Sequence, residues 1–128
     1  MNNTNRFITD ASNLHFQNMQ VENLRGAAFA ISQCTTFSGA AGNCSSSEFQ
    51  LYDIMFKSVS GTTLSNDVAS FQCSAVEPCK DIAILDENLV LSSDRNRANS
   101  YLCYEVEKPI GWKCTGPACV GGTATGSC

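Results

Sequence analysis

The sequence predicts an all-β solenoid of about three stacked coils whose loops are closed by disulfides. Three observations carry that expectation: segments alternating apolar and polar residues recur along the chain, each has an Asn or Asp near its middle, and a cysteine follows each at a similar place. The alternating segments run 13–24, 48–59 and 81–91. Period-two alternation indicates strands, because successive side chains leave a strand on opposite faces. Aligned on their apolar positions, Phe16, Leu51 and Ile84 coincide, and so do Asn18, Asp53 and Asp86.

Each long segment leads through a turn into a shorter strand that ends in cysteine, at 28–34, 68–73 and 100–103. A polar loop and a second cysteine follow, at Cys44, Cys79 and Cys114. Two or three short strands cannot cover their own apolar face, so such a unit gains stability by stacking on copies of itself. Asn and Asp suit the bends, because they tolerate turn geometry and can hydrogen-bond in ladders between stacked turns. An antiparallel sandwich is the competing all-β reading, and the lack of Asn-Gly or Asp-Gly hairpin turns counts against it.

The 128 residues suit one partial domain: an extension over 1–12, the coils, and an irregular Gly- and Thr-rich cap over 115–128. Twelve acidic against eight basic residues leave a net charge of −4 and no basic stripe for a phosphate backbone, so no nucleic-acid partner is expected. The apolar run at 26–31 falls far short of the roughly 20 residues that cross a bilayer, so no membrane partner is expected either.

Eight cysteines with a single His, none spaced as a zinc site requires, point to disulfides and an oxidising compartment; no metal or other cofactor is expected. Because the first three cysteine pairs occupy one place in three repeats, neighbours are expected to join: Cys34–Cys44, Cys73–Cys79, Cys103–Cys114 and Cys119–Cys128. Each closes a loop of about ten residues, worth about 2–3 kcal/mol in the chain-entropy model. Asn2 and Asn43 head N-glycosylation acceptor patterns, although Cys44 in the middle of the second disfavours its use. The start has no basic stretch followed by an apolar core, so a longer secreted protein with its signal upstream is the expected parent.

The phrases 30–44, 61–79, 101–103 and 111–114, with their cysteines in this order, resemble the C-terminal coils of fungal exo-polygalacturonases of glycoside hydrolase family 28. The resemblance runs from about residue 13 to 114 and implies a right-handed parallel β-helix, secretion, and inverting hydrolysis of α-1,4-galacturonosyl linkages in pectin. The family's Asn-Thr-Asp, Asp-Asp, Gly-His-Gly and Arg-Ile-Lys motifs lie upstream of the matched coils and do not occur here. Ile8-Thr9-Asp10, Asp86-Glu87, His15-Phe16 and Arg25-Gly26 imitate them wrongly in type and order. No catalytic residue is therefore assigned, and the chain alone is expected to be inactive.

Inverting hydrolysis needs a carboxylic acid and a carboxylate about 6.5–9.5 Å apart across the sugar. Asp53 and Asp86 match in the repeat and are expected to stack, but a bend position explains them better than catalysis. His15, between Leu14 and Phe16, points to solvent by alternation. Arg95 and Arg97, in the loop 92–99 with Asp94, are the candidates for binding galacturonate carboxylates in pectin or polygalacturonate; a solvated turn is the plainer reading. Phe37, Tyr52, Tyr101, Tyr104 and Trp112 could stack on sugars, but such aromatics mostly serve the core.

The leading expectation is thus the C-terminal portion of a secreted pectin-degrading polygalacturonase. A noncatalytic secreted protein that binds acidic polysaccharide or decoys an inhibitor is the alternative, and a cysteine-stapled structural module a third. Lost upstream coils would leave an apolar strand edge open to self-association. Peptide mapping without reduction should yield only neighbour-linked peptides; one joining Cys34 to Cys73 would refute the repeat.

Overall fold

The computed structural model describes residues 10–33 and 47–115. They form eight strands: β1 (Asp10–Ala11), β2 (Leu14–Leu24), β3 (Phe29–Ser32), β4 (Gln50–Thr63), β5 (Asp67–Gln72), β6 (Cys79–Leu91), β7 (Ser100–Tyr104) and β8 (Val106–Glu107). The chain alternates between two sheets. In one, β1 and β2 lie on β4, β4 on β6, and β6 on β8; in the other the order is β3-β5-β7. Every ladder between these strands is parallel, which excludes the hairpin sandwich. Asp10 and Ala11, inside the expected extension, already pair with Gln50 and Leu51 as the start of the first pass.

The register differs from the alignment read off the sequence. Phe16 pairs with Phe56, which pairs with Ile84, whereas Leu51 pairs with Ala11. Flanking pairs put Asn18 level with Ser58 and Asp86, and Asp53 level with Asn13 and Asp81. Asp53 and Asp86 therefore stand in different columns, and the expected stacking of the two does not occur.

The reason lies in the bends. Each pass has two left-handed residues five positions apart, Asn13 and Asn18, Asp53 and Ser58, Asp81 and Asp86, with φ between 52° and 58°, and the first pass adds Asn23 at 49°. A left-handed residue interrupts the alternation, so sliding a segment by five lays bend on bend and apolar run on apolar run. Only the ladder chooses between the two alignments. Lys108, at φ 55°, continues the first column beside Asp81.

The core fills the space between the sheets, with Val59, Val68, Phe71, Ile82 and Leu89 at 2% exposure or less. Its two ends differ. In the column Leu14–Ile54–Ile82, exposure falls from 37% to 4% to zero. At the covered end Ile110 bonds to both Ile82 and Ile84 by backbone, and the Trp112 indole N–H donates to the Ile82 carbonyl at 2.9 Å. At the other end Phe16, 42% exposed, stacks on Phe56 and has no strand above it among the described residues.

Disulfides Cys73–Cys79 and Cys103–Cys114 close the loops after β5 and β7, each with Cα atoms 5.8 Å apart. Cys34, Cys44, Cys119 and Cys128 lie outside the described residues, as do Asn2 and Asn43. The glutamine before the first cysteine acts structurally: Gln33 Nε2 donates to the Phe49 carbonyl and its Oε1 accepts from the Ser74 N–H, tying the end of β3 to the next pass.

Gly61 is the tightest backbone approach. At φ 135° it pairs with Val21, and a Cβ there would overlap the Val21 carbonyl. Gly61→Ala should therefore lower stability by roughly 2 kcal/mol or more, read as a reduced midpoint in urea unfolding.

Candidate functional site

The loop between β6 and β7 brings the two candidate arginines to the end of the first sheet. It is built from local bonds: Arg95 N–H donates to the Leu91 carbonyl at 2.9 Å, Leu91 N–H to the Asn96 carbonyl at 2.8 Å, and Asn96 N–H to Asp94 Oδ1 at 3.0 Å. Asp94 thus serves the turn. Arg95 itself sits at the left-handed φ of 62°.

The two arginines have different surroundings. Arg97 turns back onto Glu87, its Nη2 donating to the Glu87 carbonyl at 2.8 Å and approaching Oε2 at 3.2 Å. The Arg97 side chain stays 58% exposed whereas that of Glu87 is only 5% exposed. Glu87 is satisfied from three sides, since Tyr101 Oη donates to Oε2 at 3.0 Å and the Leu89 N–H to Oε1 at 2.8 Å. Burial, the Glu87 charge and the bond to its carboxylate push the Tyr101 phenol up to about 12, with Arg97 acting the other way.

Asp86 and Glu87 do not form an acid pair across a sugar. Asp86 is exposed at its bend, while the neighbouring carboxylate is buried and bonded. His15 is exposed on β2. Among the described residues no group of His, Cys, Asp and Glu side chains converges as metal ligands.

Arg95 instead borders a polar groove of about 440 Å³ that crosses three passes of the chain. Gln20, Glu22 and Asn23 come from the first, Thr62 from the second, and Ser92 with Arg95 from the third. The walls are linked: Ser92 Oγ donates to Asn23 Oδ1 at 2.6 Å and Asn23 N–H to Thr62 Oγ1 at 2.8 Å. Gly61 keeps the floor low where any side chain would collide with Val21. No ion pair engages Arg95 among the described residues. Tyr52 lines a separate hollow with Lys80 and Lys108, and Trp112 is buried against Phe71 and Tyr101.

Residues 3–128 match the glycosyl hydrolases family 28. The chain belongs to that family. An α-L-rhamnosidase, rgxB, of Aspergillus niger is 53% identical over 118 residues, which is 92% of this chain and 28% of that protein. An exopolygalacturonase of Arabidopsis thaliana is 40% identical over 43 residues, 34% of this chain and 10% of that protein. The family-28 chain therefore matches less than a third of the length of these relatives. No solved structure matches it.

The role of Glu87 escaped the sequence reading, although a signal exists. With Asp86 taken as a left-handed bend, alternation restarts and points Glu87 inward, level with buried Val59 and two residues before buried Leu89. An inward carboxylate demands partners. In this family-28 chain, Glu87→Ala should cost about 2–3 kcal/mol and Arg97→Ala about 1 kcal/mol or less in chemical unfolding. The raised Tyr101 phenol favours the folded state fully below pH 10, and that contribution is lost as pH rises from 10 to about 12. Tyr101→Phe should therefore weaken stability at neutral pH and flatten its alkaline decline, measured as melting temperature against pH.

Proposed function

We propose that this chain forms the C-terminal coils of a secreted, pectin-degrading hydrolase built as a right-handed parallel β-helix, and that the whole enzyme removes rhamnose from pectic chains. The observation that carries the reading is the 53% identity to an α-L-rhamnosidase across 92% of the chain. The exopolygalacturonase relative supports the expected galacturonan specificity over 34% of the chain only. A family-28 hydrolase with rhamnosidase specificity is compatible with both matches, because one fold can host several activities.

The parallel ladders support the helix. The open end at Leu14 and Phe16 supports preceding coils that would cover it, and an oxidising compartment follows from the disulfides. Inverting hydrolysis would then fall to carboxyl groups on those preceding coils, about 6.5–9.5 Å apart. Arg97 is held by Glu87, so Arg95 is the stronger candidate for contact with a pectic carboxylate.

Two measurements test this. The longer protein carrying this segment should release rhamnose from pectic oligosaccharides faster than galacturonate from polygalacturonate, and the reverse order would return the chain to the polygalacturonases. The 128-residue chain should release neither sugar, and should self-associate through its open end; Phe16→Lys should shift its sedimentation toward monomer.

A further inference from the structure

At the covered end of the stack a strap, residues 110–115, crosses from the first sheet to the second. On the first sheet the Ile110 N–H donates to the Ile82 carbonyl at 2.9 Å and the Ile84 N–H to the Ile110 carbonyl at 3.0 Å. On the second the Thr115 N–H donates to the Tyr101 carbonyl at 2.7 Å, and Thr115 Oγ1 accepts from the Tyr101 N–H at 2.8 Å. The strap therefore occupies backbone groups on the outer edges of both β6 and β7. Trp112 is its one buried residue, bonded to the Ile82 carbonyl and in contact with the rings of Phe71 and Tyr101. Gly111, at φ 81°, lets the backbone pass where a Cβ would lie 2.7 Å from the Ile84 carbonyl oxygen.

The covalent tie of the strap is Cys103–Cys114, and the two described disulfides differ in access. Cys73 and Cys79 both have 0% exposure, and Gln33 Oε1 lies 3.8 Å from Cys79 Sγ. Cys103 is buried on β7, whereas Cys114 is exposed. Thiol–disulfide exchange requires a thiolate to reach one of the two sulfurs. Of these four residues only Cys114 is open to solvent.

We propose that Cys103–Cys114 is a site of thiol–disulfide exchange, and that its reduction by a dithiol frees the strap from the β7 edge and lifts Trp112 off the end of the core. A thiolate of the reductant bonds to Cys114 Sγ, and Cys103 leaves as a thiolate that takes a proton from solvent. The second thiol of the reductant then displaces Cys114 and closes the reductant's own disulfide. The protein pair gains two electrons and two protons, and the dithiol loses them.

A segment with one buried side chain opens locally at small cost, and the disulfide opposes that opening by restricting the open form. Reduction would uncover the β6 edge at Ile82 and Ile84 and the β7 edge at Tyr101, each a template for another strand. Cys73–Cys79 would hold its loop meanwhile. The inference is independent of the pectic reading.

The test is graded reduction of the folded 128-residue chain with dithiothreitol, trapping thiols by alkylation and mapping them by mass spectrometry. Cys103 and Cys114 should be labelled about tenfold or more faster than Cys73 and Cys79. Trp112 is the chain's single tryptophan, so its fluorescence reports the strap alone; emission should move to longer wavelength in step with that labelling and return on reoxidation. Amide exchange should quicken at Ile84 and Thr115, while Phe71 stays protected. Cys103→Ser combined with Cys114→Ser should show the shifted emission without reductant.

Equal or earlier labelling of Cys73 and Cys79 would overturn the proposal. So would reduction of Cys103–Cys114 that leaves Trp112 emission unchanged, or that removes protection from Phe71 as well, which would make the bond a support of the whole fold and not a latch on the strap.

Discussion

Parallel backbone pairing between successive passes is the constraint on which the rest of this structure depends. Each pass leaves its apolar residues half covered, and only the next pass, in register, completes their burial. The register is kept by columns of left-handed residues. Asn13, Asp53, Asp81 and Lys108 bend the chain at one corner, and Asn18, Ser58 and Asp86 at the next. A pass that bent elsewhere would carry its apolar side chains out of the shared core. The left-handed conformation costs an ordinary residue roughly 1–2 kcal/mol. Asn and Asp fill most of the bends because their short polar side chains bear it best.

The stack is asymmetric along its axis, and the two ends solve different problems. At the covered end the apolar columns meet β8, Ile110 and Trp112, whose indole is bonded to Ile82 and packed on Phe71. Here the column of Met19 and Val59 finishes in a carboxylate, Glu87. A buried carboxylate is tolerable only with partners, and Tyr101, Leu89 and Arg97 supply them. At the other end Leu14 and Phe16 present apolar surface beside a hollow of about 390 Å³ that includes Met19, Phe29 and Ile31.

This arrangement divides the labour of two arginines that the sequence places two residues apart in one loop. Arg97 folds inward to a charge that the core cannot leave alone, whereas the left-handed turn at Arg95 carries its side chain to the polar groove. The groove itself is a by-product of stacking. Equivalent polar positions from three passes come to lie side by side, and Ser92, Asn23 and Thr62 join them by hydrogen bonds.

By itself the sequence determined the strands, the sheet class and the two loop-closing disulfides at Cys73–Cys79 and Cys103–Cys114, because alternation, turn chemistry and cysteine order are local properties. It also determined family membership, through cysteine-framed phrases in a fixed order. It could not determine register. Two bends five residues apart make the segments resemble themselves after a slide of five, and the choice between slides lies in long-range backbone bonds. For the same reason the separate columns of Asp53 and Asp86, the inward turn of Glu87 and the different fates of Arg95 and Arg97 were decided only by the tertiary structure. Each depends on which residue of a distant pass lies alongside.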